Sequence, residues 1–294
     1  MPELPDIELY RTALQRQIVG QTLHSILIRS PFLLRTYEHD PILLHGMQVK
    51  SIERLGKRIV WCFDSDLFLV IHLMIAGRFH WKVKKANPAS KNDLAAFQFD
   101  TGTMLLTEAS SKKRAGMWVI SGRDQLRSLH TPGLDVLNCE IEIFSEVLKR
   151  TNNTLKRALS DPRRFDGIGN AYSDEILFEA RLSPLQRTEN LSNEEVVRLW
   201  SACRQTMRSW IDRLQLQNAN GFPERVTAFR PEMSVHGKFG SPCNTCGAPI
   251  QRIRYADNEC NYCPGCQTDG RILADRSLGR LLKDDWPKTL EDLE

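Results

Sequence analysis

The sequence of 294 residues lacks any long hydrophobic run. Its longest apolar stretch, from about Leu67 to Ala76, is interrupted by His72 and is much shorter than the roughly 18 apolar residues that mark a membrane-spanning helix. The N-terminus also lacks the basic region and apolar stretch of a secretory signal peptide. We therefore expect a cytoplasmic protein that does not engage a membrane.

A large charge excess is also missing. The 40 lysines and arginines are nearly balanced by 36 acidic residues, which gives a formal net charge of +4. Composition alone therefore does not require a polyanionic partner. The basic residues are nevertheless grouped, and each group is typical either of a solvated face or of a nucleic-acid-binding surface. The groups are Lys82 with Lys84 and Lys85, Lys112 to Arg114, Arg163 with Arg164, and Arg252 with Arg254.

The cysteines do not form a disulfide framework. Five of the eight lie between Cys243 and Cys266, and the other three are scattered, which indicates a metal site in a reducing compartment. Cys243 and Cys246 form one C-x-x-C pair, Cys263 and Cys266 form a second, and sixteen residues lie between the two pairs. Two such turns can close a tetrahedral thiolate site, for which structural zinc is the expected metal. Cys260 with Cys263 is an alternative second pair, but Pro-Gly between Cys263 and Cys266 suits a tight turn better.

Internal repeats and low-complexity segments are absent, but the residue pattern changes along the chain. From about Gln21 to Ile120, β-rich runs between turn residues predict a mostly antiparallel sandwich or barrel. Helical periodicity then continues to about Leu216 and is followed by a loop and the cysteine-bearing hairpin. The fold class is therefore α+β and multidomain. The predicted segments are 1–132, 133–225, 226–270 and a tail, 271–294, in which Leu278, Leu281 and Leu282 are expected to form a short helix.

The N-terminal sequence MPELPDIEL allows two interpretations, one structural and one chemical. Ile7, Tyr10, Leu14 and Ile18 share the spacing of a half-buried helix. Proline and acidic residues at its start are ordinary features of a helix N-terminus. Alternatively, removal of the initiator methionine leaves the secondary amine of Pro2 beside Glu3. A free-base amine at a helix N-terminus is a nucleophile, and a neighbouring carboxylic acid can supply protons.

A second motif is RRFDGIGNAYSDEILF. Gly167 to Gly169 predict a tight turn between two helices, and Asn170 is predicted to cap the second helix. The N-terminus of a helix that follows such a turn exposes backbone N–H groups suited to phosphate. Together with Arg163-Arg164 and the cysteine hairpin, the motif predicts a grip on one nucleic-acid strand.

Several motifs together carry a family resemblance. MPELPDIE, RLGKRIV, HLMIAG, GIGNAYSDEILF and the paired C-x-x-C motifs resemble, in this order, the formamidopyrimidine-DNA glycosylase and endonuclease VIII family. The resemblance implies a helix plus an antiparallel β-sandwich, a helix-two-turn-helix domain and a zinc-finger hairpin. It also implies a monomeric base-excision enzyme that acts on damaged double- or single-stranded DNA. Such an enzyme is bifunctional, because it removes the base and then cuts the strand as an abasic-site lyase.

The resemblance also implies roles for individual residues. Pro2 would be the nucleophile, Glu3 the proton-transferring acid, and Lys57 the residue that holds a phosphate and serves elimination. Asn170 would contact the DNA backbone. The other candidate DNA-binding residues are Lys113, Arg114, Ile75 and Asn258. The implied zinc ligands are Cys243, Cys246, Cys263 and Cys266.

The sequence departs from the family pattern at several positions. Asn258 occupies the place of a hairpin arginine that contacts phosphate, and Arg252, Arg254 or Lys238 are candidates to compensate for it. Ile75 and Ala115 stand where a methionine and a phenylalanine usually fill the void left by the extruded base, and Asn92 stands near a usual histidine. Because alanine cannot wedge between base pairs, these changes argue against an enzyme dedicated to oxidised guanine opposite cytosine. They also leave open a DNA-binding protein without lesion chemistry.

Overall fold

The computed structural model describes residues 1–129, 133–255, 258–274 and 287–293. The chain forms two compact units. The first unit comprises Met1–Thr131 and Trp210–Thr227, and the second comprises Pro132–Ser209 and Ala228–Glu294. The four-segment division drawn from the sequence stays a prediction, and the predicted tail helix around Leu278 lies outside the described residues.

The first unit begins with a helix and continues as strands. Its elements are α1 (Leu4–Ile18), β1 (Thr22–Leu23), β2 (Ser25–Ile28), β3 (Met47–Gln48), β4 (Ser51–Leu55), β5 (Arg58–Cys62), β6 (Leu67–His72), β7 (Gly77–Lys82), β8 (Asp93–Phe99), β9 (Gly102–Glu108), β10 (Gly116–Ser121) and α2 (Arg123–Ser128). Two four-stranded antiparallel sheets form, in the orders β10-β6-β5-β4 and β2-β8-β9-β7, and β1 pairs with β3. The predicted sandwich is thus confirmed.

Aromatic side chains from both sheets form the core of the first unit. Trp61 of β5 is fully buried and packs edge-on against Phe97 of β8, with 4.9 Å between the ring centroids. Phe79 of β7 lies 6.1 Å from Trp61 and 5.5 Å from Tyr10 of α1. The helix therefore shares the core of the sandwich. The predicted buried face of α1 is confirmed, because Ile7, Tyr10, Leu14 and Ile18 are all inaccessible to solvent.

The second unit is mainly helical and ends in a hairpin. It contains α3 (Ile141–Lys149), α4 (Leu155–Ser160), α5 (Asn170–Glu179), most of α6 (Asn193–Gln217), β11 (Gln251–Arg254), β12 (Glu259–Tyr262) and α7 (Pro264–Gln267). A capping box starts α6, because the Ser192 hydroxyl accepts the Glu195 N–H while the Glu195 carboxylate accepts the Ser192 N–H. Among the described helices, none has the length and apolarity needed to cross a membrane.

Candidate active site

The N-terminal residues are buried at the start of α1. Pro2 is buried, and Glu3 has only 2% of its surface exposed. The Glu3 N–H donates to the Asp6 carboxylate at 3.0 Å, and the Glu3 carboxylate accepts the Asp6 N–H in return. This reciprocal pair satisfies two donors of the first helical turn and fixes the Glu3 side chain beside the chain terminus.

Charged side chains surround the terminal amine. Burial lowers the pKa of the Met1 amino group below its ordinary value because it disfavours the ammonium form. Glu3 and Asp6 raise that pKa, whereas Arg78 and Lys57 lower it further, so all four charges act on the terminus. The net lowering favours the free-base form of the Met1 amine.

Lys57 lies in the turn between β4 and β5. It is 8% exposed, and the preceding Gly56 has a φ of +63°, a backbone conformation that side-chain-bearing residues rarely adopt. The predicted nucleophile, acid and lysine therefore occur in one unit, with the charges of Glu3 and Lys57 both acting on the amine. Sequence reasoning missed Arg78, for which the only signal was a basic residue directly after HLMIAG.

Ile75 and Ala115, the two positions at which the sequence departs from the family's void-filling residues, differ sharply in exposure. Ile75, in the turn between β6 and β7, is 56% exposed. Met74 has a φ of +51°, and a Cβ on Gly77 would meet the Leu73 carbonyl oxygen at 2.3 Å, so the turn is tightly closed. Ala115 is 2% exposed and its N–H donates to the Glu108 carboxylate at 3.0 Å. Of these two side chains, only that of Ile75 is available to a ligand.

Glu108 organises the basic segment that follows β9. Its carboxylate, 1% exposed, accepts the Arg114 N–H at 2.9 Å in addition to that of Ala115. The Lys113 ammonium contacts the Glu108 carbonyl oxygen and lies 3.4 Å from the Asn92 side-chain oxygen. The Arg114 side chain is exposed. Of these two predicted DNA-binding cations, Arg114 is thus the more accessible.

The prediction that Asn170 caps α5 is wrong. Gly169 holds the cap position and Asn170 is the first helical residue. Its side-chain amide instead donates to the Glu259 carbonyl oxygen of β12 at 3.0 Å, so the amide is used to tie the helix junction to the hairpin. The junction and the hairpin also line one cleft of about 600 Å³, which brings Asn170 and Asn258 together.

The cations of this cleft come from the helical side. Arg157 of α4 and Arg187 line it and are exposed, and Tyr255 of the hairpin is 44% exposed. Sequence reasoning missed these three residues. Two candidates to compensate for Asn258 are engaged elsewhere. Arg252 lies 4.1 Å from the Phe239 ring and pairs with Glu259, and the Lys238 ammonium donates to the Pro231 carbonyl.

A buried polar network underlies this cleft. The fully buried Asp174 carboxylate accepts from the Lys156 ammonium at 2.6 Å, from His236 Nδ1 at 2.7 Å and from the Asn261 N–H at 3.1 Å. Lys156 also donates to the Asn170 carbonyl oxygen at 2.6 Å. The network therefore joins α4, α5, the segment that contains His236 and the hairpin.

The four predicted zinc ligands lie together. The sulfur atoms of Cys243, Cys246, Cys263 and Cys266 all lie within 4.8 Å of one another. A tetrahedral zinc with bonds of about 2.3 Å places sulfur atoms about 3.8 Å apart, and the Cys243–Cys266 separation of 3.9 Å fits this geometry. Cys260, the alternative ligand, is instead fully buried in an apolar cluster with Ile253 and Tyr262.

Two family models match the sequence. The formamidopyrimidine-DNA glycosylase N-terminal domain matches residues 1–117, and the formamidopyrimidine-DNA glycosylase H2TH domain matches residues 133–218. A formamidopyrimidine-DNA glycosylase of Desulfitobacterium hafniense is 31% identical over 279 residues, which cover 91% of this chain and 100% of the relative. A relative of the same name from Lactobacillus helveticus is 29% identical and covers 91% and 99%, respectively.

Solved structures show the same likeness. The Lactococcus lactis formamidopyrimidine-DNA glycosylase bound non-covalently to DNA with an AP site is 27% identical, with a TM-score of 0.79 over 90% of this chain and 99% of that chain. The same enzyme in complex with DNA containing an oxidised pyrimidine has a TM-score of 0.80 at 27% identity and covers 91% and 100%. The family models agree with the sandwich and the helix junction, and the chain belongs to the formamidopyrimidine-DNA glycosylase family.

Proposed function

We propose that this protein is a DNA glycosylase of base excision repair that is also an abasic-site lyase. Pro2, freed of Met1, is the nucleophile, Glu3 transfers protons, and Lys57 binds a phosphate and assists elimination. The observation that carries this proposal is the burial of Pro2 and Glu3 at the start of α1, in the same unit as the nearly buried Lys57.

The chemistry proceeds in balanced steps. The Pro2 nitrogen lone pair attacks C1′ of an extruded nucleotide, the C1′–base bond breaks, and the base leaves with the bonding pair and acquires a proton. The nitrogen loses its proton, the C1′–O4′ bond breaks, and Glu3 protonates O4′, which leaves an iminium. Loss of a C2′ proton then expels the 3′ phosphate. Water hydrolyses the iminium and releases Pro2.

DNA binding in this proposal uses the second unit as well. The cleft that contains Asn170, Arg157 and Arg187 presents amide and guanidinium donors suited to phosphates. Damaged DNA is the expected ligand, as it is of the Lactococcus lactis enzyme in its solved complexes. Zinc bound by the four clustered thiolates would hold the hairpin, and its closed coordination sphere leaves the reaction to Pro2.

Borohydride trapping on abasic-site DNA tests the proposal. Reduction of the iminium should attach the protein covalently to DNA, and Pro2→Gly or a methionine-retaining form should trap far less. Glu3→Gln should lower the trapping rate by about 100-fold or more, which is the usual loss for a general acid. Glu8→Gln is the matched control, since Glu8 lies on the same helix but pairs with Arg11 and Arg54.

The competing function is a DNA-binding protein without lesion chemistry. The burial of Ala115 and the neutral Asn258 favour it, because neither supplies the group usual in the family. Tight binding to abasic DNA without any borohydride adduct would establish this alternative and exclude the lyase.

A further inference from the structure

A second cavity of the second unit adjoins the cleft between the helix junction and the hairpin. It has a volume of about 540 Å³ and is lined by three arginines, Arg181, Arg198 and Arg271. Leu185 lines both this cavity and the cleft that contains Asn170, so the two are neighbours. The proposed lesion chemistry uses none of the three arginines.

Arg181 stands where a glycine usually ends a helix. The Arg181 N–H donates to the Phe178 carbonyl oxygen and the Leu182 N–H to that of Leu177, each at 3.0 Å, which is the Schellman arrangement at the end of α5. The φ of Arg181 is +52°, in the left-handed region that favours glycine. Because closing the helix alone favours glycine, an arginine here indicates a use for its side chain.

The other two arginines are held at defined places around the cavity. Arg198 of α6 donates through Nε to the Ala180 carbonyl oxygen at 2.8 Å, which ties its guanidinium to the end of α5. The Arg271 N–H donates to the Thr268 carbonyl oxygen at 3.0 Å, and its own carbonyl oxygen accepts the Thr268 hydroxyl at 2.6 Å. Arg271 also forms a β-bridge with Thr289. The backbone that carries Arg271 is therefore ordered before any ligand binds, which lowers the entropic cost of binding.

The cavity carries an excess of positive charge. Its two acidic side chains are Glu195 and Asp269. Both oxygens of the Glu195 carboxylate already accept the Gln186 side-chain amide, at 3.1 Å. Arg181 and Arg271 are exposed and pair with no carboxylate within the part of the chain that the structure describes. Planar guanidinium groups gathered in this way suit the oxygens of a phosphate.

The size of the cavity indicates a ligand larger than a bare phosphate ion. Cavities of about 300–1,000 Å³ hold small organic molecules. Leu185 and Leu273 supply apolar surface on the same lining as the arginines. A nucleotide matches both features, because its phosphate is anionic and the faces of its base are apolar.

We propose that Arg181, Arg198 and Arg271 form a second phosphate site, which binds a nucleotide beside the cleft for damaged DNA. The nucleotide is either free or part of a DNA strand that continues past the cleft. The site needs no lesion chemistry and so goes beyond the proposed glycosylase function. Through Arg271 it gives a role to the C-terminal tail, 271–294, for which the family resemblance implied none.

Two variants and one control test the site in the full-length, zinc-loaded protein. Arg181→Gly removes a guanidinium and places glycine at a left-handed position, so the protein should be at least as stable as the wild type. Arg271→Ala removes a second guanidinium and keeps the main-chain bonds. Arg208→Ala is the matched control, since Arg208 is exposed on α6, as Arg198 is, but does not line the cavity. Urea midpoints show whether each variant is folded.

The first measurement detects a free nucleotide. Deoxyadenosine 5′-monophosphate is titrated by calorimetry into protein whose DNA cleft is saturated with a blunt abasic duplex. If the ligand is a free nucleotide, the wild type and Arg208→Ala should bind it saturably. Arg181→Gly and Arg271→Ala should each bind it about tenfold more weakly, because a charge-assisted bond to phosphate is lost.

The second measurement detects a DNA strand. Fluorescence anisotropy compares the blunt duplex with duplexes that carry a 5′ or 3′ single-stranded extension of about ten nucleotides, the length of a typical single-strand site. If the ligand is a strand, the wild type and Arg208→Ala should bind an extended duplex about tenfold more tightly than the blunt one, because further phosphates are bound. Arg181→Gly and Arg271→Ala should lose most of this preference.

The proposal is overturned if the wild type shows neither nucleotide binding nor a preference for an extended duplex. It is also overturned if both quantities are unchanged in Arg181→Gly and Arg271→Ala, or if Arg208→Ala lowers them equally. None of these measurements requires a borohydride adduct. A wild-type protein that binds the nucleotide but forms no adduct would refute the lyase chemistry and leave the second phosphate site established.

Discussion

Ile75 and Ala115 show how far the environment of a single residue alters its role. Both depart from the family pattern. From the sequence alone, both were expected to fill the void left by the extruded base less well than the usual residues. The closed turn before β7 leaves 56% of Ile75 exposed, whereas Ala115 is held inside by the bond from its N–H to Glu108. A branched aliphatic side chain at an exposed turn can wedge into a base stack, but a buried methyl group cannot.

Ile75→Ala should therefore slow excision from duplex DNA about tenfold, because unstacking without a wedge costs free energy on the order of 1 to 3 kcal/mol. Excision from single-stranded DNA should change little, since there is no stack to open. Rates on the two substrates under single-turnover conditions check this. Val83→Ala is the control, being an exposed aliphatic residue of the same unit. An equal loss on both substrates would contradict a wedge role.

At the scale of elements, the junction of α4 and α5 and the hairpin of β11 and β12 form one cleft. The sequence did not indicate this cleft, because Arg157 and Arg187 lie outside the four basic groups described above and Asn170 and Asn258 are distant in the chain. Packing brings them together. The exposed arginines that line the cleft with Asn258 thus come from the helical side, whereas Arg252 and Lys238 are engaged elsewhere.

The double variant Arg157→Ala, Arg187→Ala should bind DNA of any sequence more weakly, because phosphate contacts do not depend on the base sequence. Its plot of log affinity against log salt should lose about one unit of slope for each phosphate contact removed. Fluorescence anisotropy across a salt series measures both. Arg150→Ala serves as the control, because Arg150 is exposed at the end of α3 and does not line the cleft. A slope identical to wild type in the double variant would show that the cleft does not bind phosphate.

The buried carboxylates of α5 predict opposite pH effects on stability. Burial by itself raises the pKa of Asp174, but Lys156 and His236 outweigh it and hold that pKa below its ordinary 3.8. Asp174 thus contributes stability above this value, and the contribution is lost as the pH falls through the folded-state pKa. Burial raises the pKa of Glu175 above 4.5 despite three backbone N–H donors, so its ionisation opposes folding as the pH rises.

Asp174→Asn should therefore reduce the fall in stability below about pH 4. Glu175→Gln should remove the decrease in stability that ionisation of Glu175 causes above about pH 4.5. Urea midpoints of the second unit between about pH 3 and about pH 8 measure both effects. Parallel pH profiles for the two variants would contradict the assignment.

At the scale of the whole molecule, a metal held by the four clustered cysteines would affect the second unit more than the first. The four clustered cysteines belong to the second unit, and the sandwich of the first has its own aromatic core. Loss of zinc should therefore release the hairpin and weaken DNA binding while the near-ultraviolet signal of the buried Trp61 core persists.

Cys266→Ser should lose the single zinc expected per chain, because it removes one of the four clustered thiolates. Cys260→Ser should retain it, because Cys260 lies in the apolar cluster with Ile253. Metal content after dialysis, by elemental analysis, distinguishes the two. Zinc lost from Cys260→Ser but kept in Cys266→Ser would restore the alternative pairing.

The sequence by itself determined the features that arise from neighbouring residues. The buried face of α1, the Pro2-Glu3 start, the β-rich runs and the spacing of the C-x-x-C pairs are all local patterns that carry their physical meaning with them. Only the tertiary structure decided which distant groups meet. Arg78 with Val226, Asp174 with His236 and Arg157 with Asn258 are far apart in the chain. Long-range packing selects such contacts, because the free energy of burial and hydrogen bonding depends on which surfaces the fold brings together.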